Sequence, residues 1–293
     1  MSTDTGSRAP EETVGSLSPS RAGDFLACPL LYRFRTIDRL PEPPSPDAVR
    51  GTVVHKVLED LFDLPAGERT VAGAHALLAP AWAAVCEAEP ELAALFPAGS
   101  EEMARWLDSC RASLERYFTL EDPTRLEPAE RELEVQTLLD SRLLLRGIVD
   151  RLDVAPTGEV RVVDYKTGKA PREGFEARAL FQMKFYALVL WRTRGVLPSL
   201  LQLVYLGSGE VLRYVPDEQG LLATERKVEA IWAAIADATQ RGDWQPSPGP
   251  LCSWCAHQAL CPAFGGTPPP LPAPDPATDP ATDTATVSEA PAP

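Results

Sequence analysis

Residues 142–167 read "RLLLRGIVDRLDVAPTGEVRVVDYKT", and this stretch restricts the fold more than any other. Aliphatic and β-branched residues crowd both sides of Pro156-Thr157-Gly158, the pattern of two strands joined by a tight turn. A three-residue loop sets Ala155 against Glu159, and the same register sets Asp150 opposite Asp164, with Cα atoms about 4.5–5.5 Å apart. Side chains alternate along a strand, so Lys166 shares the face of Asp164. Two carboxylates and an amine then converge on one patch. A slip of one residue in the register would undo the arrangement.

Like charges directly opposite each other in a sheet are unfavourable. A divalent cation between the carboxylates makes the arrangement reasonable, and oxygen ligands favour Mg²⁺ or Mn²⁺. Such an ion lowers the pKa of a bound water and steadies charge on a phosphoryl oxygen. Lys166 is placed to position that water or to stabilise the transition state. The alternative is a solvated hairpin with scattered charges.

The chain has 293 residues, 44% of them hydrophobic and 24% charged, which is the make-up of an ordinary globular protein. Its apolar runs, such as 185–191, fall short of the roughly 20 residues of a membrane-spanning helix. The N-terminus is polar and carries Asp4, Glu11 and Glu12, so a secretory signal is not expected. The cytoplasm is the expected location, where six cysteines serve as thiols or metal ligands rather than disulfides. The formal charge of −14 argues against a nucleic-acid partner. Residues 142–194, however, hold 11 Lys/Arg against 6 Asp/Glu, and a local basic field can attract phosphates on an acidic molecule.

Residues 1–16 and the Pro/Ala/Thr-rich tail 266–293 are expected to be disordered, leaving one domain over 17–265. Ser18 followed by Pro19 marks a helix start. After Pro41, Pro43, Pro44 and Pro46 comes "VRGTVVHKVLEDLFDL", where Val54, Leu58, Leu61 and Phe62 recur at helical spacing. Helices are predicted around 71–89 and 101–119, with Cys110 on the apolar face of the second and Cys86 also structural. Strands follow at "RELEVQTLL" and through the hairpin. Then come a helix at "FEARALFQMKFYALVLWRTR", strands near 200–206 and 210–215, and a helix over about 218–240. This order suggests an α/β fold, a mixed sheet flanked by helices.

Four segments, "RGTVVHKVLE", "RGIVDRLDV", "VVDYKTGK" and "QMKFYALVL", resemble successive motifs of RecB-like nucleases in the PD-(D/E)XK superfamily. The resemblance covers roughly residues 17–262. It implies a restriction-endonuclease-like core with an N-terminal helical part. It also implies His55 as a metal ligand beside Asp150 and Asp164, and Lys166 as the catalytic lysine. The backbone carbonyl of Tyr165 would complete the metal shell. Gln182 and Tyr186, one helical turn apart, match the family's Q-x-x-x-Y motif and would support the lysine and contact DNA. Val149 stands where the superfamily name has Pro, as it does in other RecB-like members. Glu59, a turn beyond His55, either orients that ring or solvates the helix.

The C-terminal "CSWCAHQALC" spaces Cys252, Cys255 and Cys261 as C-x2-C-x5-C, a pattern suited to soft or borderline metals. Three ligands leave a closed tetrahedral site one short. With Cys28 as the fourth, the set resembles the 4Fe-4S clasp of AddB-type nucleases, which implies a cysteine-clasped C-terminus. Zinc is the alternative, with His257 able to replace a cysteine.

The activity implied is Mg²⁺- or Mn²⁺-dependent hydrolysis of DNA in repair or recombination, as an exonuclease favouring single-stranded ends. The alternative is a non-catalytic or partner-dependent DNA-binding subunit of a helicase–nuclease or CRISPR adaptation complex. No G-x-x-x-x-G-K-[ST] loop occurs, so a helicase motor would be a separate chain.

Overall fold

The computed structural model describes residues 13–97, 99–171 and 176–272. The disorder expected of the two ends falls mostly on residues 1–12 and 273–293, outside the described residues. In chain order the regular elements are β1 (Gly15–Leu17), α1 (Pro19–Ala27), α2 (Pro29–Tyr32), α3 (Pro46–Leu61), α4 (Val71–Ala88) and α5 (Glu101–Leu120). Then follow β2 (Glu130–Leu138), β3 (Leu143–Val154), β4 (Val160–Lys166), α6 (Ala177–Arg194), β5 (Leu200–Tyr205), β6 (Glu210–Tyr214) and α7 (Glu218–Arg241).

Two compact units are built from these. One takes Met1–Pro41, Gln136–Arg146 and Arg226–Pro293; the other takes Glu42–Val135 and Gly147–Glu225. The strands make a mixed arrangement. β3 runs parallel to β1 from Gly15↔Leu143 to Leu17↔Leu145, and antiparallel to β4 from Arg151↔Val163 to Val154↔Val160. β4 and β5 are parallel, while β5 and β6 are antiparallel. The β3–β4 register is the one that the three-residue turn predicts. Gly158 closes the turn at φ +97°, and its N–H donates to the Ala155 carbonyl at 2.8 Å.

In the second unit, the helix boundaries follow from local chemistry. Pro46 opens α3, where its missing N–H costs nothing. Thr70 and Ser100 cap α4 and α5 by accepting from Gly73 and Met103 N–H groups, both at 3.1 Å. Glu101 and Glu102 complement the positive end of α5, and Gly195 in the left-handed region ends α6. The stripe Val53, Val54, Val57, Leu58 and Leu61 of α3 packs with Leu78 of α4 and with Cys110 and Leu114 of α5. This core covers one sheet face through Val163, Tyr165, Val204 and Leu206. α4 is long and apolar enough, by length and composition, to pass as a membrane span, but its Ala74, Leu78, Ala81 and Val85 lie in this core. α6 packs on β4 and β5.

In the first unit, β1 meets a close neighbour. Gly15, at φ +152°, would place a Cβ 2.0 Å from the Trp232 ring, so only glycine fits. Ser18 caps α1, and α2 runs into a π-helical turn at Arg33–Ile37. Phe25, Tyr32 and Trp244 form an aromatic cluster, with Tyr32 and Trp244 stacked at 5.8 Å.

The mixed sheet, its flanking helices and the N-terminal helical region are as expected, but the cysteine-clasped C-terminus is corrected. Cys28, Cys252, Cys255 and Cys261 are free thiols at separate places in the fold. Cys28 stands at the N-cap position of α2 and its sulfur accepts from Ser247 N–H at 3.4 Å, while the Cys252 sulfur accepts from Gly249 N–H at 3.3 Å. A shared ion needs its donor atoms drawn together. Among the described residues, one group of three or more His, Cys, Asp or Glu donors has its ligand atoms within 4.8 Å of one another. That group contains no cysteine. His257 is buried against the Phe34 ring at 5.3 Å.

Candidate metal and catalytic site

Every side chain of the site lies in the second unit. Alternation along β4 turns Val163 and Tyr165 to the core of α3–α5, and turns Asp164 and Lys166 to the opposite face. There Gln182 and Tyr186 approach from α6. Lys166 Nζ lies 2.6 Å from Asp164 Oδ2 and donates to Gln182 Oε1 at 3.0 Å. Gln182 Nε2 donates to Asp164 Oδ1 at 3.1 Å and to the Tyr186 hydroxyl oxygen at 3.0 Å. The glutamine amide thus holds the lysine, the aspartate and the tyrosine in one ring of contacts. Residues at i and i+4 on one helix turn are what this requires.

A second cluster adjoins it. The β3–β4 ladder ends at Arg151↔Val163, and one residue beyond it Asp150 Oδ2 accepts from the Tyr165 N–H at 2.7 Å. His55 arrives from α3, with Nε2 at 3.0 Å from the Tyr165 carbonyl and Nδ1 at 3.5 Å from Asp150 Oδ2. The carbonyl can only accept, so Nε2 carries the hydrogen of that contact and Nδ1 faces Asp150. Glu132 on β2 completes the group, and ligand atoms of His55, Glu132 and Asp150 all lie within 4.8 Å of one another.

The electrostatics bear on what belongs there. Burial pushes the Asp164 carboxyl up to about 6, with Asp150 adding to the effect and Lys166 and His55 opposing it. Burial also pushes Glu132 up to about 7, and Asp150 again adds to it. Tyr186 is raised as well, first by burial. Three acids and an imidazole gathered where two of the acids resist ionising form a set that a divalent cation would relieve.

A model of the PD-(D/E)XK nuclease superfamily matches residues 16–262. The chain belongs to this superfamily. Among individual proteins, it is 23% identical to the Gene 69 protein of Mycobacterium phage L5 over 303 residues, covering 89% of this chain and 99% of that one. It is also 23% identical to the Gene 69 protein of Mycobacterium phage D29 over 271 residues, covering 84% and 96%. Among solved structures, a "Putative exonuclease" of Eubacterium rectale aligns with a TM-score of 0.55 at 13% identity, covering 86% of this chain and 94% of that one. At that identity the likeness concerns the fold alone.

Set against the sequence-based expectations for a PD-(D/E)XK nuclease, the structure brings His55, Asp150, Asp164, Tyr165, Lys166, Gln182 and Tyr186 together. Glu59 binds Lys56 at 3.0 Å. The Tyr165 carbonyl, expected in a metal shell, here accepts from His55. Glu132 was missed. Strand alternation in "RELEV" sets it on the polar side of β2 with Glu134, where it looks like a solvated acid. The signal available was an acid at the third position of β2, in the strand that precedes the "RGIVD" hairpin. The 4Fe-4S cluster and its zinc alternative at Cys28, Cys252, Cys255 and Cys261 gain no support, for the donor group is His55–Glu132–Asp150.

Proposed function

We propose that this chain is a RecB-like, Mg²⁺- or Mn²⁺-dependent deoxyribonuclease that hydrolyses phosphodiesters at DNA ends, with single-stranded ends favoured. The observation that carries the reading is the adjacency of the His55–Glu132–Asp150 donor group and the Asp164–Lys166–Gln182 ring. Hard oxygen donors with one imidazole suit Mg²⁺ or Mn²⁺. His55, Asp150 and Glu132 would hold the ion, with Asp164 beside them. When bound, the ion supplies Lewis-acid polarisation of the scissile phosphate and a water of lowered pKa.

The chain's own residues do the rest. Lys166, held by Gln182 and Asp164, presents a cation to the charge that develops on the phosphoryl oxygens. Gln182 keeps the amine from swinging into solvent, and Tyr186 fixes the glutamine. The basic balance of residues 142–194 supports attraction of a polyanion.

The test is degradation of end-labelled single- and double-stranded DNA, with RNA alongside, by the full chain with and without Mn²⁺. Lys166→Ala and Asp164→Ala are run in parallel. Metal-dependent loss of label by the wild type, reduced at least a thousandfold in both variants while they stay folded, is the expected result. Unchanged cleavage in either variant would refute the site, and cleavage of RNA alone would refute the substrate.

A further inference from the structure

Tyr165 lies between Asp164 and Lys166, so its side chain enters the core on the face away from the carboxylates. It is 3% exposed, with the Tyr117 ring edge-on at 5.8 Å. Its hydroxyl is bonded by Arg151 Nη1. Arg151 directly follows Asp150 and is 1% exposed. Its guanidinium is gripped by both oxygens of Glu121, at 2.8 and 3.0 Å, and donates to Asp153 Oδ2 at 3.2 Å. It also lies over the Phe62 and Tyr165 rings at 5.7 and 5.6 Å. Gln202 of β5 donates to Glu121 Oε1 at 2.9 Å.

A buried charge of this kind is not needed for stability, since apolar residues of equal volume often serve as well. What a fully bonded guanidinium adds is direction. It acts where direction is lacking, because the β3–β4 ladder stops at Arg151↔Val163. Past that point two side-chain links join the strands, one on each face. Asp150 reaches the Tyr165 N–H, and Arg151 reaches the Tyr165 hydroxyl. The Tyr165 main chain meets both neighbouring donors, with its N–H on Asp150 and its carbonyl on His55.

We infer that Arg151 and Tyr165 are positioning residues for the metal site: their buried link sets the spacing of β3 and β4 where the ladder ends, and so aims Asp150 and His55 at the ion. The inference rests on the metal-dependent nuclease reading and names the device that shapes its centre. Outer partners of metal ligands commonly change affinity by about 10–100-fold.

Removing Arg151 outright would leave Glu121 buried without its cation and endanger folding, so the informative variant is Tyr165→Phe. It keeps the ring and deletes the bonded oxygen. Mn²⁺ binding is measured by calorimetry on the full chain without DNA, and the Mn²⁺ dependence of end-label release is measured separately. Tyr165→Phe is expected to weaken Mn²⁺ binding roughly tenfold or more, with the half-saturating Mn²⁺ for cleavage rising by the same factor and the rate at saturation less affected. Gln202→Leu is the control, since it removes a member of the network that does not touch Tyr165. It should lower the melting temperature and leave Mn²⁺ affinity unchanged. Wild-type affinity in Tyr165→Phe, or an equal loss of affinity in Gln202→Leu, overturns the positioning role and leaves the nuclease reading standing. A wild type that neither binds Mn²⁺ nor cleaves overturns both.

Discussion

Glu132 combines three features that rarely meet in one side chain. It holds φ +43° inside a strand, its carboxyl is pushed up to about 7, and its ligand atom sits with those of His55 and Asp150. Positive φ in a non-glycine residue costs of order 1–3 kcal/mol and persists where the surroundings demand it. Burial holds its proton on, so ionised Glu132 at alkaline pH weakens the metal-free fold, while the ionised form is the one a cation would take. Glu132→Gln should raise the melting temperature at pH 8 without metal, yet weaken Mn²⁺ binding at least tenfold by calorimetry. A variant that loses both stability and nothing of its Mn²⁺ affinity would remove Glu132 from the site. The contrast with Asp150 and Asp164 is instructive. Those two could be read from the sequence because a turn of known length fixes which residues face each other. Glu132 joins by a local backbone departure, which no alternation pattern encodes. Arg151 was hidden for a related reason, since an arginine in a strand reads as surface until its partners Glu121 and Tyr165 are brought from elsewhere in the chain.

Elements were legible where hydrophobic period and end signals agree. α4, α5, β5, β6 and α7 lie within about two residues of their expected bounds, because caps such as Thr70 and Ser100 stand just ahead of long apolar stripes. β1 was not read, as three residues carry no period, and the π-helical turn at Arg33–Ile37 has no sequence signature of its own. The cysteine pattern failed differently. C-x2-C-x5-C describes spacing along the chain, while a shared ion depends on convergence in space. The hairpin offers a test at this scale. At Gly158 an added Cβ would meet nothing within 4 Å, so the cost of a side chain there is backbone strain at φ +97° alone. Gly158→Val should destabilise by about 1–3 kcal/mol, seen as a melting temperature lower by several degrees. The β3–β4 ladder should survive, so Mn²⁺ affinity should hold. A loss of affinity together with stability would mean that the turn, more than the ladder, sets the register.

For the whole molecule, raised carboxyl pKa values become a pH dependence with a definite sign. Folded Asp164 and Glu132 hold protons up to about 6 and about 7, above the ordinary carboxylate range of the unfolded chain. Their contribution to stability is complete below about pH 4 and is lost as pH rises through 6 and 7. At Glu121 burial raises the pKa but the Arg151 guanidinium and its neighbours outweigh it, so this lowered acid acts in the opposite sense, with its contribution already present by about pH 5. The metal-free protein should therefore melt several degrees lower at pH 8 than at pH 5. Millimolar Mn²⁺ should restore more of that loss at pH 8, since protons compete for the same oxygens. Melting curves at the two pH values, with and without Mn²⁺, decide it; a metal-free melting point that climbs from pH 5 to pH 8 would contradict the burial of these acids. The division of the chain has a consequence for its synthesis. All the candidate ligands and the lysine lie between residues 55 and 186, and their unit takes nothing beyond Glu225. The other unit joins segments from before Glu42 and after Glu225, so Gly15 of β1 meets its Trp232 partner only once residues past Glu225 have been made. A growing chain would then hold every candidate site residue while one of its two units still lacks a segment.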